Sequence, residues 1–288
     1  MEVAQLFSQE LAARCNFPTG GAVSCAVSGG ADSLALLVLA REAGLDVTAI
    51  HVDHGLRAGS AAEAAVVAAA AERFGAAFRS ITLDLDDGPN LEARARAARY
   101  AALPEGVLTG HTADDQAETV LINLLRGAAL DGLAGMRAST TKPLLNLRRT
   151  ETRQLCAELQ LTPVEDPTNR DPRFVRNRVR HELLPLLNDI AGRDLVPVLA
   201  RQAELLRDDA DFLNALAASI DATDAGELRA AAAPLARRSV RDLLRDEHPP
   251  TLAEVERVLA VAHLAARATE VSGGRRVSRS AGRINLRQ

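Results

Sequence analysis

Apolar and polar residues change their spacing twice along this chain. Up to about residue 130, short apolar runs alternate with longer helical patterns. Residues 22–27, 47–52 and 78–83 are rich in small, β-branched and aromatic residues, which suits strands inside a sheet. Residues 34–41 and 61–74 are dense in Leu and Ala, strong helix formers. Residues 90–102 and 116–126 read as further helices, 106–109 as a short fourth strand, and 1–14 as a short amphipathic helix. Strands alternating with helices predict an α/β fold with a doubly wound parallel sheet. Beyond Pro143 the strand pattern stops. Helices are expected over 147–160, 174–187, 194–218, 227–246 and 252–266, with a polar loop at 164–173 and a break at 221–226. The spacing changes again after 268: alternating runs at 276–279 and 283–286 flank Ser280-Ala281-Gly282, a small basic hairpin. The expected organisation is an α/β domain over 1–187 and a mainly helical domain with a terminal hairpin over 188–288, without repeats.

Composition narrows this only in places. A chain of 288 residues has room for one large or two modest domains. The net charge of −4 points to no polyanion by itself, since nucleic-acid binding needs a local patch. Lys142 is the single lysine, so 33 of the 34 basic residues are arginine. Cys15, Cys25 and Cys156 form no CxxC and no metal-ligand spacing, which fits a reduced, cytoplasmic protein. No apolar run reaches the length of a membrane span. The first fourteen residues carry Glu2 and Glu10 and lack the basic and apolar regions of a signal peptide.

Four clusters carry candidate chemistry. The first is Ser28-Gly29-Gly30-Ala31-Asp32-Ser33, between the first strand and its helix. A Gly-containing turn there points backbone N–H groups at one spot, at the positive end of a helix. The glycines allow a concave turn and close approach of an anion, and Ser28 and Ser33 add hydroxyls. Asp32 makes sense in such a turn if it holds a Mg²⁺ that bridges to phosphate oxygens. The plainer alternative is an ordinary strand–helix turn in which Ser28 or Asp32 caps the helix. There is no Gly-Lys-Ser/Thr and no GxGxxG, which disfavours Walker-type and dinucleotide sites.

The second cluster, 110–119, places His111, Asp114, Asp115 and Glu118 at the end of the fourth strand and on the helix after it. The acids can complement the helix dipole, or they can hold a metal or take a proton; His111 can be a base or a phosphate donor. The third, 90–100, puts Arg96 and Arg99 on one helix face, either solvated or aimed at a phosphate. The fourth, 170–181, holds five arginines, among them Arg176, Arg178 and Arg180. It is a solvated face or a nucleic-acid contact. The terminal hairpin, with Arg275, Arg276, Arg279, Arg283 and Arg287, is a second basic patch. Three of the polar segments, at Ser28, Asp53 and His111, lie at strand carboxyl ends, where open α/β sheets bind ligands.

The Ser28–Ser33 loop is similar to the SGGxDS loop of the PP-loop ATP pyrophosphatases, whose fold is the adenine nucleotide alpha hydrolase-like sheet. His51-Val52-Asp53-His54-Gly55-Leu56-Arg57, Ala95–Tyr100, Gly110–Thr119, Leu125-Arg126-Gly127, Gly132–Met136, Glu165–Asn169 and Arg176–Arg180 occur in the order seen in tRNA(Ile)-lysidine synthetases, and the resemblance covers about residues 20–187. It is loose over 188–288, and Lys142-Pro143-Leu144 stands where members commonly have Arg-Pro-Leu.

The resemblance implies an AMP-forming ligase. ATP activates C2 of the wobble cytidine of a tRNA(Ile), pyrophosphate leaves, and the amine of free L-lysine displaces AMP to give lysidine. It implies ATP binding by Ser28, Gly29, Gly30, Ala31, Asp32, Ser33, Asp53 and His54, Mg²⁺ on Asp32 and Asp115, and tRNA contacts by Arg176, Arg178 and Arg180. Arg96 and His111 match positions tied to the reacting phosphate and base. Asp114 is the candidate acceptor for the proton that lysine must lose. The competing readings are a tRNA sulfurtransferase of the same superfamily and a tRNA-binding protein without catalysis.

Overall fold

The computed structural model describes residues 2–53, 60–83, 94, 97–98, 101–165, 167–246 and 249–287. The chain divides into two compact units, Met1–Glu204 and Leu205–Gln288.

The first unit opens with helix α1 (Glu2–Ala13), followed by β1 (Ala22–Ala26), α2 (Ala31–Glu42), β2 (Asp46–Asp53), α3 (Ser60–Arg73) and β3 (Ala77–Thr82). The three strands are parallel in the order β1-β2-β3, with Cys25 beside Ala49 and Ile50 beside Arg79. The segment expected as a fourth strand is reduced to one residue. Leu108 bridges Cys25 on the free side of β1, accepting from Ala26 N (2.9 Å) and donating to Ser24 O (2.8 Å). A turn closed by Val107 N on Pro104 O (3.2 Å) precedes it. The chain runs from β1 through β2 to β3 on one side, then returns to the other side of β1. The carboxyl end of β1 is therefore a topological switch point.

Residues Ser33–Ala40 of α2 are all buried. A helix that is apolar all round belongs in a core, and α2 packs against β1, β2, α1 and α5 (Arg149–Glu158). Leu34, Leu36, Leu37 and Leu39 form this core with Val47, Leu144 and Leu155. Helix α4 (Ala113–Leu125) heads a second cluster, in which Ala117 and Leu121 meet Val179, Leu184 and Val196.

The single helix expected over 174–187 is three joined pieces: α6 (Val175–Arg178), a π turn (Val179–Leu183) and α7 (Leu184–Ala191). Pro185 has no N–H for the ladder. The π turn, with Leu184 N bonded to Val179 O, absorbs the irregularity. Because Val196, Leu199 and Ala200 pack on the α4 cluster, residues 188–204 belong with the first unit, whereas the sequence pattern places the division after 187. The division falls within α8 (Val196–Ala217).

The second unit holds α9 (Ala225–Ala230), α10 (Ala233–Leu243) and α11 (Leu252–Ala262), then β4 (Ala268–Val271), β5 (Arg275–Ser280) and β6 (Arg283–Arg287). The helix expected over 227–246 breaks at Ala231-Ala232, before Pro234 in the first turn of α10. The hairpin forms, but as part of a three-stranded antiparallel sheet with β4. Val277 and Ile284 of that sheet are buried against Val240, Val255 and Val258. Among the described residues, no helix is long and apolar enough to cross a membrane.

Candidate active site

The loop after β1 takes its shape from Gly29, whose φ of +87° is a left-handed conformation open to glycine. Ser33 braces the loop from inside. Its Oγ donates to Gly30 O (2.8 Å) and accepts from Ser28 N (3.1 Å). Ser33 is therefore buried, while Ser28 is exposed. Gly30 caps α2, and the helix offers no partner to the N–H groups of its first turn at Ala31 and Asp32.

Two other segments close on this loop. Val164 N donates to Gly29 O (3.0 Å). Gly110 passes so close to α2 that a Cβ built on it would lie 2.7 Å from Asp32 O and 2.9 Å from Asp32 C. A glycine there lets the His111 segment lie directly on the loop helix. The cleft so formed has a volume of about 970 Å³ and is lined by Ser28, Asp32, Asp53, His111, Asp115, Arg149, Arg176 and Arg180, among others.

His51 and His111 are oriented by their hydrogen bonds. His51 Nδ1 donates to Val27 O (3.0 Å), tying β2 to the start of the loop. His51 Nε2 is buried with no partner among the described residues. Thr109 Oγ1 donates to Thr141 O (3.1 Å) and so accepts from His111 Nδ1 (2.9 Å), which leaves Nε2 as the acceptor of that ring.

The acidic residues separate by role. Asp115 closes the capping box of α4: its Oδ2 accepts from Thr112 N (2.9 Å) and Thr112 Oγ1 (3.0 Å). Its Oδ1 accepts from Arg149 (2.9 Å). Asp32 Oδ1 accepts from Thr152 and Oδ2 from Arg149 Nε (3.3 Å). Burial raises the pKa of Asp32, with Thr152 and Arg149 offsetting part of the rise. Glu118, with no exposed surface, is held by Arg180 (2.6 and 3.0 Å) and Arg149 (2.9 Å).

Asp114 does something else. It does not line the cleft. It accepts from Arg148 Nε (3.0 Å), Arg148 Nη2 (3.2 Å) and the backbone N of Arg149 (2.8 Å), the first residue of α5. Burial works to raise its pKa, but these donors outweigh it and hold the carboxyl below the usual range. A carboxylate so engaged is a poor proton acceptor and a good joint, fastening the start of α5 to the start of α4. The geometry thus departs from the proton-accepting role expected for Asp114.

The arginine run also divides. Arg180, on the π turn, points into the acids, and Arg176 reaches Thr119 Oγ1 (3.1 Å). Arg178 is exposed and pairs with Glu182 (2.9 Å). Of the three, Arg176 and Arg180 line the cleft, and Arg178 faces solvent. His54 and Arg96 lie outside the described residues.

Sequence reasoning missed Arg149, Thr152 and His51. The first two read only as part of a helix start, 117 and 120 positions from Asp32. His51 opens the His51–Arg57 stretch of the resemblance, but its place in a strand pattern assigns it no role of its own.

A parallel sheet with a glycine-bent loop and carboxylates at its switch point defines a nucleotide-binding α/β protein. Residues 3–187 match the PP-loop domain family. The chain is 48% identical over 241 residues to the tRNA(Ile)-lysidine synthase of Nocardia farcinica (strain IFM 10152), covering 78% of this chain and 76% of that protein. It is 45% identical over 240 residues to that of Rhodococcus jostii (strain RHA1), covering 78% and 74%. Among solved structures, the U34-tRNA thiolase NcsA from Methanococcus maripaludis, with its [4Fe-4S] cluster, aligns with a TM-score of 0.55 at 19% identity, over 72% of this chain and 79% of that one, a likeness of fold. The chain belongs to the tRNA(Ile)-lysidine synthase family of PP-loop proteins.

Proposed function

We propose that this protein joins free L-lysine to C2 of the wobble cytidine of tRNA(Ile), using ATP and releasing AMP and pyrophosphate by way of an adenylated cytidine. The observation that carries this is the 48% identity to a tRNA(Ile)-lysidine synthase over 241 residues. The Gly29 turn and the start of α2 bind the triphosphate through backbone N–H groups. Asp32 and Asp115 present carboxylates to one cleft, and no group of three or more His, Cys, Asp or Glu side chains among the described residues could hold a metal. Two carboxylates with phosphate oxygens and water suit Mg²⁺, so the residues fit that ion. When bound, Mg²⁺ offsets charge on the phosphates as pyrophosphate departs. Asp114 keeps α5 in place, and with it the two side chains, Arg149 and Thr152, that orient Asp32. Arg176 and Arg180 line the cleft that the flipped base enters, and Arg178 is left to the tRNA backbone.

Sulfur transfer is the weaker reading. All three thiols are free, and burial pushes Cys15, Cys25 and Cys156 up to about 12. A reactive persulfide cysteine needs a depressed pKa.

Asp32→Asn tests the reading. It is expected to abolish tRNA-dependent pyrophosphate release while tRNA binding by filter retention stays near wild type. Wild-type turnover in this variant removes Asp32 from the machinery.

A further inference from the structure

We propose that Arg149 is the resident counter-cation of the metal site, occupying the carboxylate oxygens that Mg²⁺ takes when nucleotide binds. The inference rests on the reading that Asp32 and Asp115 hold the ion. One guanidinium, with 14% of its side chain exposed, donates to three carboxylates on two helices: Asp32 Oδ2 (3.3 Å), Asp115 Oδ1 (2.9 Å) and Glu118 Oε1 (2.9 Å). The other oxygen of each aspartate is clamped by the fold, Asp32 Oδ1 by Thr152 and Asp115 Oδ2 by Thr112. The oxygens left for a cation are therefore those that Arg149 holds, with Arg180 Nη2 also beside Asp115 Oδ1 at 3.5 Å.

Arg149 can let them go without stranding a buried charge. Glu118 keeps Arg180 on both of its oxygens (2.6 and 3.0 Å). Only Asp32 and Asp115 then change partner, and the arriving ion takes them up.

Charge sets the order of binding. Arg149, Arg176 and Arg180 face Asp32, Asp115 and Glu118, three charges of each sign and no net charge. A divalent ion entering alone would meet a guanidinium within a few ångströms in a partly desolvated site, where like charges repel strongly. The triphosphate supplies the negative charge that admits the ion. Arg149 is thus a positioning residue that makes metal binding conditional on ATP.

The test is an equilibrium titration with Mn²⁺ followed by electron paramagnetic resonance. Wild type, Arg149→Met and Arg149→Lys are each titrated with and without a non-hydrolysable ATP analogue. Without nucleotide, Arg149→Met is expected to bind Mn²⁺ at least about tenfold more tightly than wild type, and adding Asp32→Asn is expected to remove the gain. Arg149→Lys, which keeps the charge, should fall between the two or match wild type. Equal nucleotide-free affinity in wild type and a folded Arg149→Met, or a lysine variant that binds as tightly as the methionine one, overturns the proposal. If wild type binds no Mn²⁺ even with the analogue, the metal reading of Asp32 and Asp115 fails instead. Should Arg149→Met not fold, proton exchange in wild type gives the answer, with Arg149→Lys used only for assignment. The Arg149 Nε–H, assigned by its loss in Arg149→Lys, should be protected from solvent exchange without nucleotide and lose protection with Mg²⁺ and analogue. Unchanged protection overturns the proposal.

Discussion

Gly110→Ala tests whether the His111 segment and the nucleotide loop must touch. The added Cβ would stand 2.7 Å from Asp32 O, 2.9 Å from Asp32 C and 3.2 Å from Ser33 N, all backbone atoms that no rotamer change can move. Reaching an ordinary contact of 3.4 Å requires the two segments to part by about 0.7 Å. Overpacking of this kind costs about 1–3 kcal/mol. For a unit of this size each kcal/mol lowers Tm by about 2–4 °C, so a fall of about 2–12 °C is expected.

The effect on rate is expected to be larger than the effect on stability. The parting moves Asp32 relative to Thr152 and Arg149, and a misplacement near 1 Å can cost about 10²-fold. The assay is pyrophosphate release with tRNA, beside calorimetry on the same preparations. Gly30→Ala is the steric control. Its φ of −73° suits any residue, and the nearest atom to its Cβ would be Ser28 Oγ at 3.7 Å. It should change stability by no more than about 1 kcal/mol, the scale of a cap substitution. A Gly110→Ala protein with wild-type Tm and wild-type rate would refute the close approach.

Asp114→Asn should destabilise the first unit by about 1–3 kcal/mol at neutral pH, the scale of lost charge-assisted bonds. Because the folded pKa of Asp114 lies below its unfolded value near 4, this contribution is complete above about pH 4 and fades as the pH falls through the folded value. Denaturant melts from pH 7 to pH 3 should show wild type and variant converging only at the acid end; a constant gap would deny the role of the ionised carboxylate. Of the arginines, Arg178→Ala should leave Tm at the wild-type value and lower the salt slope of tRNA binding by about one unit. Arg180→Ala should cost about 3 kcal/mol by removing the partner that holds both oxygens of buried Glu118. The reverse ranking in thermal melts and salt titrations would reassign both.

The nucleotide loop was legible in the sequence because its demand is local: a left-handed residue at Gly29 and hydroxyls within five positions of each other. The parallel sheet was legible because buried strands of small and β-branched residues alternate with helices. The fourth strand was read too long, because a single bridge at Leu108 and a full strand share the same short apolar pattern. Strand β4 was missed because Ala268-Thr269-Glu270-Val271 is too short to show alternation and is a strand only beside β5. Asp114 and Asp115 look alike in sequence. Their division of labour is set by a helix that begins at Arg149, 34 or 35 positions away, and no spacing rule reaches that far. The same distance hid Arg149, whose guanidinium reads as one more charge at a helix start.

Lysidine formation is read most directly on the wobble base. The protein is incubated with tRNA(Ile) bearing a CAU anticodon, ATP and isotope-labelled L-lysine, and the nucleosides are analysed by mass spectrometry. Lysidine carrying the label at the wobble position is expected, with one AMP and one pyrophosphate formed per lysidine. Pyrophosphate release with an unmodified cytidine, or with sulfur in place of lysine, would contradict it.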